Sequence, residues 1–364
     1  MILRAAMIVG VCSTATLASA QQFLAPPIPP TSPNRSLVTW TPGDAQCGGV
    51  PVSVGPLVRR PLNNLGWLPQ DNLKPLTFRF TLDDAGRPLS IERVDSDFIP
   101  FADDLGPALA ASRFPVHAKA SCQITYSPKA VPLAEAPVGD LISYTVSPIG
   151  GALPKEGRDR IRPVGDCMKP PMAAPLLSAF PDFARLPGTP GVLGWTLVGY
   201  DIDRQGKTAN VHVVGSNGNP ALEQASIKAM RGWKFASGPR TGCLYPYRRY
   251  AVTLAAPTPP EEALFRPADA TCTEPRNWTQ PLALQFPENY RRRMIEGWAI
   301  VRYDVAPWGA VGNLKVLASQ PTEDFGKQAA MMLRNAALPA SSRGMTGCVD
   351  RVRYVLDPNE PPTD

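Results

Sequence analysis

Apolar and polar residues alternate at three places in the chain, each time just before a turn glycine. Ahead of Gly86 stand Phe78, Phe80 and Leu82; ahead of Gly206, Val198, Tyr200 and Ile202; ahead of Gly309, Val301, Tyr303 and Val305. A period of two marks a strand with one buried face. Past each glycine a second apolar set follows: Ile91 and Val94, Val211 and Val214, Leu314 and Leu317. The pattern predicts three β-hairpins. Their turns read Asp83-Asp84-Ala85-Gly86, Asp203-Arg204-Gln205-Gly206 and Ala306-Pro307-Trp308-Gly309, with glycine where a positive φ is expected.

After each hairpin the apolar period lengthens to that of a helix. Asn219 can cap the second helix, with Pro220 in its first turn and Leu222, Ala225, Ala229 and Trp233 on one face. Thr322 can cap the third, where Glu323 and Asp324 complement the helix dipole. Its stripe is Phe325, Ala329, Met332, Leu333 and Ala336. In the first copy Gly106-Pro107 interrupts the pattern, and Leu105, Leu109 and Phe114 supply a shorter face. A last strand closes each unit, over 122–126, 243–252 and 348–356, and Pro246 marks the second of these as an edge strand. The predicted fold class is α+β: three tandem ββαβ modules, each a small antiparallel sheet packed by one helix. Their boundaries are 37–145, 146–258 and 259–364.

Cysteine spacing repeats with the modules. Cys47 and Cys122 are 75 residues apart, and Cys167–Cys243 and Cys272–Cys348 are each separated by 76. One disulfide per module is the pairing that keeps the three copies alike. A staggered pairing such as Cys122–Cys167 is open on cysteine count alone, and would leave the end modules unlike the middle one. Each within-module bridge would close a loop worth roughly 4 kcal/mol in chain entropy. The seventh cysteine, Cys12, falls in an apolar run over 5–17 that follows Arg4 and precedes Ala18-Ser19-Ala20. Residues 1–20 therefore read as an export signal, with a mature chain expected from Gln21 and a proline-rich linker over 21–36. The run is shorter than the roughly 20 residues of a membrane span; the alternative is a retained N-terminal anchor.

The net charge is +6 and the chain holds 43 prolines. Arg59-Arg60, Arg248-Arg249 and Arg291-Arg292-Arg293 read as a solvated basic face, or as contacts to anionic cell-wall material. In an exported chain nucleic acid is not an expected partner. Pro257-Thr258-Pro259-Pro260 reads as an extended spacer.

One family brings these features together. Phe286-Pro287, Ile295-Glu296-Gly297, Val301-Arg302-Tyr303-Asp304-Val305, Gly309 and Asn313-Leu314-Lys315-Val316-Leu317 resemble the C-terminal domain of TonB. Phe180-Pro181, Tyr200-Asp201-Ile202-Asp203, Gly206 and Met230-Arg231-Gly232-Trp233-Lys234-Phe235 repeat the pattern. The first copy keeps Leu82-Asp83 and Gly86 but lacks a clear Phe-Pro dipeptide before its strand. The resemblance implies a periplasmic domain that binds an extended segment of an outer-membrane receptor on the edge strand after its helix. Carried over, the candidate peptide-binding residues are Phe180, Pro181, Leu244, Tyr245, Phe286, Pro287, Val349 and Val352. The competing reading of each phenylalanine is a core residue, and of each proline an orderer of the entry to the sheet. Trp233 and Trp298 are expected in the core. The disulfide ties the leading segment to the start of the last strand, which either leaves the edge open or holds it covered.

Enzyme readings find no support. There is no Gly-x-Ser-x-Gly, His-Glu-x-x-His or phosphate-cradling loop. His212 alternates with Val211 and Val213 on an outer strand face, and His117 follows the first helix. Asp83, Asp84, Asp201 and Asp203 flank turn glycines, where aspartate suits the turn. No catalytic, cofactor-binding or metal-ligating residue is expected, and no cofactor. The leading expectation is an exported, periplasmic, non-enzymatic binding or adaptor protein with a protein or peptide partner in the envelope. The alternative is a TonB-type energy transducer whose N-terminus is kept as its anchor.

Overall fold

The computed structural model describes residues 35–53, 55, 57–67, 73–115, 121–236 and 238–357. The expected export signal, most of the linker and His117 lie outside the described residues. The first repeat contains β1 (Arg35–Pro42), β2 (Ala45–Cys47), β3 (Val50–Val52), β4 (Asn64–Trp67), β5 (Leu76–Leu82), β6 (Pro88–Arg93), α1 (Leu105–Ala110) and β7 (Ser121–Pro132). Two helices follow, α2 (Val138–Val146) and α3 (Lys155–Ile161). The second repeat contains β8 (Pro175–Leu177), β9 (Gly194–Ile202), β10 (Thr208–Ser216), α4 (Pro220–Arg231), β11 (Lys234–Phe235) and β12 (Arg240–Arg249). The third contains α5 (Glu288–Arg292), β13 (Gly297–Val305), β14 (Val311–Gln320), α6 (Glu323–Arg334) and β15 (Met345–Tyr354).

The three hairpins are β5–β6, β9–β10 and β13–β14, all antiparallel. After each helix the last strand returns to the first hairpin strand: β7 to β5, β12 to β9 and β15 to β13. The fold is thus α+β, built from several small antiparallel sheets. The turn glycines recur for one structural reason. Gly309 has φ 93°, and its carbonyl accepts the Leu338 N–H at 2.9 Å, just past α6. A Cβ there would collide with the Leu338 carbonyl, and Gly86 and Gly206 meet Phe114 and Phe235 in the same way. Asp83 and Asp203 are turn formers: each Oδ1 accepts two backbone N–H groups at 2.8–2.9 Å. Asn219 caps α4 by accepting from Leu222 N–H at 3.1 Å. Thr322 holds the N-cap position of α6 without a side-chain cap bond. Ser319 supplies one instead, its hydroxyl accepting from Gly326 N–H at 2.9 Å.

Disulfides join Cys47 to Cys122, Cys167 to Cys243 and Cys272 to Cys348, one per repeat. The repeats are distinct as sheets but not as cores. One hydrophobic cluster runs from Trp40, Phe78, Leu105 and Tyr126 of the first repeat into Tyr290, Val301, Phe325 and Tyr354 of the third. Gly106 makes that junction possible, since a Cβ on it would stand 2.6 Å from the Tyr290 hydroxyl. This accounts for the break in the apolar pattern at Gly106-Pro107. A second cluster joins first and second repeats through Leu141, Ile142 and Tyr144 of α2, with Leu37 on one side and Trp195 on the other. The second repeat keeps a core of its own around Met230, Trp233 and Tyr247.

Arg293 corrects the reading of 291–293 as a wholly solvated basic run. Its side chain is 7% exposed and forks onto Asp104, with Nε to Oδ1 at 2.6 Å and Nη2 to Oδ2 at 2.5 Å. It also donates to the carbonyls of Gly191 (3.4 Å) and Arg60 (3.2 Å). One guanidinium therefore binds all three repeats. Burial alone would depress its pKa; the Asp104 carboxylate outweighs that and raises it. The proline-rich stretch at 257–260 is likewise packed rather than free: the Pro257 carbonyl accepts from Trp298 Nε1 at 2.7 Å.

Candidate functional site: the outer edge of the third sheet

The last strand of each repeat starts from the same place and ends in a different setting. β7 is interior to its sheet. It pairs with β5 on one side, and with β1 and β2 on the other. β12 and β15 are terminal, in the orders β10-β9-β12 and β14-β13-β15. Pro246 therefore does lie in an edge strand.

Register shows which backbone groups face outward. The Val349 carbonyl accepts from Arg276 Nη2 at 3.1 Å, so it points away from β13. Antiparallel alternation then turns the N–H and C=O of Arg351 and Arg353 outward as well. Counted from the bridging cysteines, Arg351 corresponds to Thr125 and Pro246. The Thr125 carbonyl is taken by Gly43 N–H at 2.8 Å. Pro246 has no N–H to offer. Of the three equivalent positions, only Arg351 presents both groups to an incoming strand.

A groove of about 450 Å³ runs beside this edge. Asp350, Arg351, Val352 and Arg353 form one wall. The leading segment, with Arg276, Trp278, Leu282 and Leu284, forms the other, and Met332 and Leu333 close the α6 side. Arg276 seals one end by pairing with Asp350 and bonding Val349. The Tyr303 hydroxyl donates to Asp350 Oδ2 at 2.7 Å, and burial pushes its pKa up to about 12. The second repeat has a smaller pocket of about 190 Å³ placed nearer its disulfide, lined in part by Cys167, Met168, Met172, Tyr200 and Leu244.

The residues singled out in the sequence divide between groove and core. Val352 lines the groove and Leu244 the smaller pocket. Val349 turns to the opposite sheet face, against Trp298 and Ile300. Tyr245 packs on Trp233 at 4.7 Å. Phe180 is 57% exposed yet stands edge-on to Trp233 (6.1 Å) and Tyr247 (6.3 Å). Phe286 is half-buried against Phe325 (6.1 Å) and Tyr354 (5.7 Å). Pro181 and Pro287 are buried. The two Phe-Pro pairs thus pin the leading segments to the helix side of each sheet and line neither the groove nor the pocket. Trp233 and Trp298 are core residues, and His212 is exposed. Sequence reasoning missed Arg276, Trp278, Arg351 and Arg353. Aligning the copies on their second cysteines would have found the Thr125, Pro246, Arg351 contrast.

No curated protein matches the chain. Residues 179–249 and 283–359 match the family described as the Gram-negative bacterial TonB protein C-terminal. Both stretches contain a hairpin, a helix and a terminal last strand, and the first sheet lies outside them. The two stretches that end in β12 and β15 are therefore similar to that C-terminal domain.

Proposed function

We propose that this is a non-catalytic binding protein of the bacterial envelope, exported to the periplasm, that takes an extended peptide as a fourth strand on β15. The family supports a TonB-like role in binding protein partners, and segments of outer-membrane receptors are the natural candidates. One observation carries the choice of site. β15 is a terminal strand with outward N–H and C=O groups at Arg351 and Arg353, whereas β7 is covered by β1 and β12 is interrupted by Pro246. Unpaired edge groups bind a peptide backbone, and the flanking groove selects its side chains. The energy-transducing alternative needs an anchor. The segment that would supply it, residues 1–20, lies outside the described residues, among which no helix is long and apolar enough to cross a membrane.

The test is peptide capture by the full disulfide-bonded chain. Arg351→Pro copies the second repeat, so the sheet has a precedent for it. It should weaken capture at least tenfold, while Arg351→Ala should change it far less. Equal affinity for both variants would remove strand addition. Mass spectrometry of the N-terminus checks the export reading: a chain starting at Gln21 excludes an anchor there.

A further inference from the structure

The first repeat contains an occupant for the edge in question. β1 lies antiparallel along β7, from Ser36 opposite Pro132 to Pro42 opposite Tyr126. Tyr126 stands four residues after Cys122, as Val352 stands four after Cys348. A strand on β15 in the same direction would place one residue opposite Val352. Directly opposed residues share a sheet face. That residue would therefore enter the groove between Val352, Trp278, Leu282 and Leu284.

Its two neighbours would fall opposite Arg351 and Arg353 and leave from the other face. Arg351 and Arg353 stand opposite Ile300 and Trp298, on the side away from α6. Arg353 is exposed; Arg351 is half-buried, with Glu262 at 3.6 Å and the Pro260 carbonyl at 3.4 Å. Opposite charges at facing strand positions attract, and like charges repel.

We propose that the β15 groove recognises an acidic extended peptide running antiparallel to the strand, with one large apolar side chain opposite Val352 flanked by two carboxylates facing Arg351 and Arg353. This rests on the reading of β15 as the peptide edge. It adds the ligand's chemistry and its direction.

The probes are short glycine-flanked peptides with Glu-Leu-Glu, Lys-Leu-Lys or Glu-Gly-Glu at the centre, titrated against the full chain. Glu-Leu-Glu should bind tightest, with losses of about fivefold or more for each of the others. The double variant Arg351→Glu/Arg353→Glu keeps the backbone edge and should prefer Lys-Leu-Lys. A nitroxide on the N-terminus of Glu-Leu-Glu should broaden the Tyr354 amide more than that of Asp350. Equal binding of all three peptides, or no reversal in the double variant, would overturn the recognition proposed here. Broadening centred on Asp350 would overturn the direction. In either case a surviving sensitivity to Arg351→Pro would leave strand addition standing. Insensitivity of every peptide to that proline would overturn strand addition as well.

Discussion

At the scale of the residue, Arg293 and Arg351 show how little the type of a side chain says without its surroundings. Both sit among other arginines in a basic chain. Arg293 is buried in a two-pronged bond to Asp104, itself 4% exposed. Removing one partner of such a pair leaves a charge stranded in the interior. Arg293→Met should therefore destabilise the protein by about 3–5 kcal/mol, read by denaturant unfolding. The double variant Arg293→Met/Asp104→Leu should recover most of that loss. Arg351 is instead a position whose meaning lies in its backbone. The sequence carried this in Pro246, which announced an edge strand. It could not announce the burial of Arg293, because the partners Asp104, Gly191 and Arg60 are distant in the chain and no periodicity links them.

At the scale of the element, hairpins, helices and last strands were legible because their apolar periods and turn glycines recur three times. β1 on the edge of β7 carries no such signal, because it precedes the first bridging cysteine, Cys47, and has no counterpart among the described residues of the other copies. Trp40 in β1 is buried, and its indole donates to the Phe101 carbonyl at 2.8 Å. Trp40→Ala should cost about 3–5 kcal/mol. Deleting residues 35–42 should expose the β7 edge. Adding the free peptide of that sequence should then raise the melting temperature with the logarithm of its concentration. A deletion variant that ignores the peptide would mean that β1 is held by its side chains and not by its ladder. In the second repeat, Pro246→Arg should confer peptide capture on β12 if the missing N–H is what blunts that edge.

At the scale of the whole molecule, seven tyrosines have pKa values raised by burial, with Tyr144, Tyr200 and Tyr303 pushed up to about 12. An unfolded tyrosine ionises near 10. Below pH 10 both states are protonated and this contribution to stability is fully present. As pH rises from 10 to about 12, only the unfolded chain gives up its protons, so the contribution is lost. The tyrosinate absorbance of these seven, the larger part of the signal from nine tyrosines, should then rise in one step together with the loss of near-ultraviolet circular dichroism. A gradual rise in a folded chain would show that the rings are accessible.

Shared packing between the first and third repeats also has a consequence for the order of assembly. A chain grows from its N-terminus, and early segments begin folding before later ones exist. Cys47 can meet Cys122 early, but the partners of Leu105 and Tyr126 at Tyr290, Phe325 and Tyr354 are made last. The newborn first repeat must wait with greasy surface uncovered until the final strand arrives. It is a natural customer for a holding chaperone, and a chain truncated before residue 258 should clump or bind hydrophobic dye where the finished protein does not.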